Sequence, residues 1–165
     1  MAKDSSFDIV SEVDMQEIDN ACGQATKELK QRYDLKDTGS RLELDKRAQT
    51  ITVTAPSDFV AKQIIDIIQS KLIRRNVDIK SVQWGKAENA SGGTVRQTGT
   101  IVSGIDREIA GKINKDLKAL KLKVKVTIED DKLRVTSAKI DLLQEVIGYL
   151  KEQDYGIPLQ YVNYR

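Results

Sequence analysis

Lys112, Lys115, Lys123, Lys125 and Arg134 are the residues of this chain best suited to chemistry, and that chemistry is the holding of phosphate. Lysine offers a mobile point charge, and arginine a planar fork that can grip two phosphate oxygens together. Residues 112–125 hold six lysines against one aspartate, Asp116. Within residues 120–136, Leu122, Val124, Val126 and Ile128 alternate with Lys123, Lys125 and Thr127, the period of a strand with one dry and one wet face. Asp130-Asp131 forms a two-residue turn, after which Leu133 and Val135 return on the dry side, and Arg134 and Thr136 on the wet side. The outcome is a hairpin with a cationic face. A plainer reading stands beside it, because lysines on exposed strands keep sheets solvated and block edge-to-edge pairing. On the hairpin alone the plainer reading is favoured.

Other chemistries find little support. The chain has no histidine, which removes histidine-based acid–base catalysis, His-dependent triads and most zinc sites. Cys22 is the only cysteine and falls on an apolar helical stripe, so it reads as a small buried hydrophobe in a reducing cytoplasm. Asp130 and Asp131 are adjacent, but turn neighbours diverge, and a turn is the ordinary use of aspartate. No nucleophile has a base at a recognisable spacing, so a non-catalytic protein with no cofactor and no metal is expected. No apolar stretch reaches membrane-spanning length, and residues 1–8 hold no apolar signal core. Base recognition needs an aromatic platform, yet residues 100–102 and 133–135 have no aromatic. Tyr161 and Tyr164 lie an odd number of residues apart, so a regular strand sends one of them to the open side; Tyr161 joins the candidate site on that ground.

The elements that must position these residues follow from periodicity. Net charge is only +2, but residues 1–93 hold 14 Lys and Arg against 15 Asp and Glu, whereas residues 94–165 hold 13 against 10. The second half is therefore the cationic one. Residues 7–13 alternate as a strand; Asp14 with Glu17 forms a capping-box start, and residues 14–33 are apolar at helical steps. Residues 41–45 and 50–54 pair as a hairpin with threonine and mixed charge outward. Ser57 caps a helix to about residue 76, and residues 82–87 form a strand around Trp84. Residues 89–93, Asn-Ala-Ser-Gly-Gly, punctuate the chain. The order then repeats: a strand over 94–102, a helix beginning near 103–106, the basic hairpin, a helix capped by Ser137, and a final strand over 159–165.

Each half thus reads βαββαβ. The predicted fold is α+β, two ferredoxin-like modules, each a four-stranded antiparallel sheet with two helices on one face, over residues 1–90 and 91–165. Residues 7–11 (Phe-Asp-Ile-Val-Ser) and 99–103 (Gly-Thr-Ile-Val-Ser) are alike enough that exchange of an outer strand between modules stays open.

With that order in view, the chain resembles the YajQ family of small bacterial proteins along essentially its whole length. The resemblance is carried by residues 6–13 (Ser-Phe-Asp-Ile-Val-Ser-Glu-Val), 32–34 (Arg-Tyr-Asp), 92–97 (Gly-Gly-Thr-Val-Arg-Gln), 104–106 (Gly-Ile-Asp), 122–125, 130–136 and the ending Gln-Tyr-Val-Asn-Tyr-Arg. It departs from the family's pattern at Gly111-Lys112 and at Ile140-Asp141-Leu142. The resemblance implies paired ferredoxin-like domains and a nucleotide ligand, with RNA and cyclic dinucleotides among those proposed, and no catalytic residues to carry over. The expectation is a cytoplasmic, non-catalytic nucleotide- or RNA-binding protein that captures phosphate through Lys112, Lys115, Lys123, Lys125 and Arg134, with little base specificity. The alternative is a protein-interaction or dimerisation module using its open sheet faces, Thr50, Thr52 and Thr54 above all.

Overall fold

The computed structural model describes residues 4–165. In chain order the elements are β1 (Ser5–Val10), α1 (Met15–Gln31), β2 (Arg41–Asp45), β3 (Thr50–Ala55), α2 (Asp58–Arg74), β4 (Val82–Trp84), β5 (Glu88–Asn89), β6 (Val95–Ile101), α3 (Arg107–Ala119), β7 (Lys125–Glu129), β8 (Lys132–Ser137), α4 (Ile140–Lys151) and β9 (Gln160–Val162). Three helices start at side-chain caps, which satisfy first-turn amides that have no partner within the helix. The Asp14 carboxylate accepts from the Gln16 and Glu17 amides, the Ser57 hydroxyl from Val60, and the Asp106 carboxylate from Ile109. The fourth differs from expectation. Lys139 occupies the cap of α4 without a side-chain bond, and Ser137 acts one step earlier, its Oγ accepting from the Lys139 amide at 3.2 Å.

The chain folds as two α+β, ferredoxin-like units, each with an antiparallel sheet and two helices, but not as its two halves. One unit is Val13–Val102; the other joins Met1–Glu12 to Ser103–Arg165. The division expected between residues 90 and 91 is corrected by the strand pairing. β6 lies between β3 and β4, opposing Val53 with Gln97 and Val82 with Ile101. β1 lies between β8 and β9, opposing Phe7 with Val135 and Ile9 with Tyr161. Residues 89–93 therefore mark a turn inside one unit. Gly92 and Gly93 adopt φ of 72° and 76°, the left-handed conformation that leads β5 back into β6.

The pairing also changes the charge count. Val13–Val102 carries 14 Lys and Arg against 12 Asp and Glu, and the other unit 13 against 13. The cationic excess of residues 94–165 is cancelled by β1 and its flanks, so any anion site in that unit must rest on where its charges sit.

In Val13–Val102 the core joins Ile18, Cys22, Ala25 and Leu29 of α1 to Ile64, Ile68 and Leu72 of α2, over Ile51 and Val53 of β3. In the other unit Phe7, Ile9, Leu133 and Val135 are fully buried on the side covered by Ile113 and Leu117 of α3 and Leu143, Val146 and Leu150 of α4. Each such side chain contributes about 1.5–3 kcal/mol by leaving water. A one-residue slip of β1 would turn Phe7 and Ile9 outward and Asp8 inward, which fixes the register that places the polar face.

Candidate functional site

The uncovered face of the β7-β8-β1-β9 sheet is set by register. Lys125 stands opposite Thr136, Thr127 opposite Arg134, and Arg134 opposite Asp8. Arg134 is largely committed within the protein. Its Nε donates to Asp8 Oδ1 at 3.0 Å, and its NH1 lies 3.4 Å from Glu129 Oε1. Asp8 also lies 3.6 Å from Lys132 Nζ and accepts from Asn163 Nδ2 at 2.8 Å. Only 1% of Asp8 is exposed, so burial pushes its carboxyl upward. The hydrogen bonds from Arg134 and Asn163, with the charges of Arg134 and Lys132, outweigh burial and hold it below the ordinary carboxylate range.

Lys123 and Lys125 lie at the other end of the hairpin, exposed and without an ion pair among the described residues. Lys123 occupies a bend before β7, and its carbonyl accepts from Ser137 Oγ at 3.0 Å. Ser137 in turn receives the Lys139 amide, which places the backbones of Lys123 and Lys139 around one hydroxyl. The hairpin is therefore polar along its length, with Lys123 and Lys125 at one end and Glu129, Asp130 and Asp131 at its turn. Lys112 and Lys115 are exposed on α3, in the helix layer, and are not brought onto the open face with Lys125 and Arg134.

Tyr161 requires a correction. β9 pairs Asp8 with Val162, but Ser6 exchanges both backbone bonds with Arg165, at 3.1 and 3.0 Å, so β9 holds one residue more than β1 over that interval. The extra residue is Asn163, at φ 56°, a bulge that returns Tyr164 to the side already occupied by Tyr161. Both rings meet the buried Phe7, with centroids 6.0 and 6.1 Å away. Burial, with a smaller push from Tyr164, raises the Tyr161 hydroxyl above its usual range. Tyr161 thus belongs to the helix-covered side and is no platform on the open face.

Two further features were not anticipated. A cavity of about 280 Å³ opens between Ser5, Ser6, Ile140, Leu143, Gln144, Tyr164 and Arg165. In the sequence Ile140 falls at helical steps with Leu143, Ile147 and Leu150 of α4, yet it is exposed at the start of the helix. In Val13–Val102, a groove of about 600 Å³ runs between α1 and α2, where Lys71 pairs with Glu28 at 2.9 Å and Arg75 with Glu17 at 3.3 Å. That unit's open sheet face carries Thr50, Thr52 and Thr54 opposite Thr100, Thr98 and Arg96. Cys22 is buried in the core, and burial together with the nearby Asp19 pushes its thiol up to about 11, so it is protonated at neutral pH. Among the described residues no group of three or more Cys, Asp and Glu is placed to hold a metal, and no helix is long and apolar enough to cross a membrane.

The family model described as "Nucleotide-binding protein YajQ-like" matches residues 5–165. A protein of Geotalea uraniireducens named "Nucleotide-binding protein" is 53% identical over 160 residues, covering 97% of this chain and 98% of its own length. Relatives carrying the same name in Citrifermentans bemidjiense and Desulfitobacterium hafniense are 54% identical over 160 residues and 48% identical over 165, covering 97% and 100% of this chain and 98% and 100% of theirs. Coverage from end to end at this identity means that the chain belongs to the YajQ family.

Proposed function

We propose that this chain is a non-catalytic nucleotide-binding protein that takes nucleotide phosphate, free or within a short RNA or cyclic dinucleotide, at the lysine-bearing end of the β7–β8 hairpin. The observation that carries this reading is the pair Lys123 and Lys125, exposed beside the open sheet face with no acid spent on them, while Arg134 and Lys132 are held by Asp8. The names of the full-length relatives favour a nucleotide among anionic ligands. The protonated, buried Cys22 and the absence of histidine leave binding as the activity these residues support, and a lone reduced thiol suits the cytoplasm.

The test is a titration of the full-length protein with nucleoside monophosphates, cyclic dinucleotides and short RNA at two salt concentrations, repeated with Lys123→Glu combined with Lys125→Glu. We expect the double variant to stay folded and to bind about tenfold or more weakly, with a salt dependence smaller by about one phosphate contact. Unchanged affinity would overturn the site. A second reading, pairing of the threonine-lined face of Val13–Val102 with a protein or another copy, is favoured by Thr50, Thr52, Thr98 and Thr100 lying side by side. A gel-filtration mass near twice 18.5 kDa would support it.

A further inference from the structure

The cavity beside α4 has the features of a base-accepting slot. Ile140 and Tyr164, two large apolar side chains, are 61% and 62% exposed and line it together with Leu143, which is buried. The Tyr164 ring is braced from below: it stacks at 30° on Phe7, which is fully buried. A ring already held in place loses little freedom when a second ring stacks on it. At about 280 Å³ the space has ample room for one planar base, with ribose and phosphate reaching from its open side. The polar atoms at the lining suit a base edge, since the Gln144 carboxamide both donates and accepts and the hydroxyl of Ser5, which shares the side of Phe7 on β1, does either.

The direction of the phosphate follows from register. Ser5 stands opposite Ser137, whose Oγ meets the Lys123 carbonyl and the Lys139 amide. Lys123 is therefore about 10 Å from β1, two strand spacings, a span that a ribose and an extended lysine side chain bridge together. We propose that this cavity takes the base of a nucleotide, stacked on Tyr164 against Ile140 and Leu143, with its phosphate on Lys123 and Lys139. The proposal rests on the nucleotide-binding reading and adds to it the base, whose place the open sheet face, lacking aromatics, does not provide.

The test uses the full-length protein and ¹H–¹⁵N spectra, titrated separately with adenosine 5′-monophosphate, ribose 5-phosphate and inorganic phosphate. The expected result is that the nucleotide perturbs Ile140, Leu143, Gln144 and Tyr164 along with Lys123, and that ribose 5-phosphate binds about tenfold more weakly. Tyr164→Ala and Ile140→Ser should each weaken the nucleotide about tenfold while leaving ribose 5-phosphate unchanged. Ile140 is exposed, so its variant keeps the test valid if Tyr164→Ala loosens Phe7; thermal midpoints report which variant has kept its fold. Equal binding of the two sugar phosphates, with shifts confined to Lys123 and Lys139, overturns the base slot and leaves phosphate capture standing. Shifts confined to the α1–α2 groove overturn both placements. No response to any of the three compounds, nor to RNA, overturns the nucleotide-binding reading and the slot with it.

Discussion

Asp8 lies beneath the open face of its sheet and holds two of that face's cations, Lys132 at 3.6 Å and Arg134 at 3.0 Å. A carboxylate this enclosed stabilises the fold only while it is charged. Its folded pKa is depressed, so its contribution is fully present above the ordinary carboxylate value of about 4 and is lost as pH falls through the lower folded value. Asp8→Asn should therefore cost about 2 kcal/mol at neutral pH, because Arg134 and Lys132 lose the charge they neutralise. The gap between wild type and variant should close as pH drops below about 4. Thermal melts from pH 3 to pH 7 would show this, and a constant gap would mean that the charge is not what matters. The same geometry separates Arg134 from the lysines: Arg134→Met should lower the melting temperature and change nucleotide affinity less than the double substitution at Lys123 and Lys125. A larger affinity loss at Arg134 would show that its fork reaches ligand despite Asp8 and Glu129.

Among the elements, β6 and β9 each turn on one residue with an unusual backbone role. Gly99 of β6 opposes Trp84 of β4, and a Cβ placed there would meet Val82 Cγ1 at 2.6 Å and Trp84 Cε3 at 2.9 Å. The indole lies where only a glycine leaves room. Gly99→Ala should force Trp84 or Val82 aside at a cost of about 1–3 kcal/mol. Trp84 is the only tryptophan, so its emission reports the displacement directly. An unchanged spectrum and melting temperature would show that the strand shifts freely. Just past β9, the extra residue Asn163 returns Tyr164 to the side of Tyr161, so the alternation that would send one of the two to the open face fails. Alternation was enough to read the β7–β8 register, because both strands and their two-residue turn are local. The helix starts at Asp14 and Ser57 were legible for the same reason, since a cap acts within three residues of itself, whereas the third start was bounded only to residues 103–106, within which Asp106 is the cap. The partners of Asp8 were not, since Arg134 and Asn163 lie 126 and 155 residues along the chain. The cationic strand was thus legible, but its partial neutralisation and the cavity beside α4 depend on β1 pairing far from its own sequence neighbours.

For the whole molecule, that pairing has a consequence that cutting the chain can reveal. Val13–Val102 is continuous and contains all four strands of the path β2-β3-β6-β4 with both of its helices. The other unit is discontinuous, and its inner strand β1 comes from the opposite end of the chain. Without β1, β8 and β9 lose their common partner, and Leu133 and Val135 lose the neighbouring Phe7 and Ile9. An inner strand supplies both ladder bonds and half the buried face, and two-stranded remnants are marginal in water. A fragment of residues 13–102 should therefore unfold cooperatively with Trp84 in its native environment. A fragment of residues 103–165 should remain largely unstructured until a peptide of residues 1–12 is added, when dispersed amide signals should appear. Circular dichroism and ¹H–¹⁵N spectra decide the matter. If residues 103–165 folded alone, or residues 1–90 formed a stable module, the neighbouring-halves arrangement would be favoured over strand exchange. Because the slot beside α4 is lined by Ser5 and Ser6 as well as by Ile140 and Tyr164, the same peptide should restore adenosine 5′-monophosphate binding to the fragment of residues 103–165. Binding by residues 103–165 without it would mean that β1 is dispensable to the site.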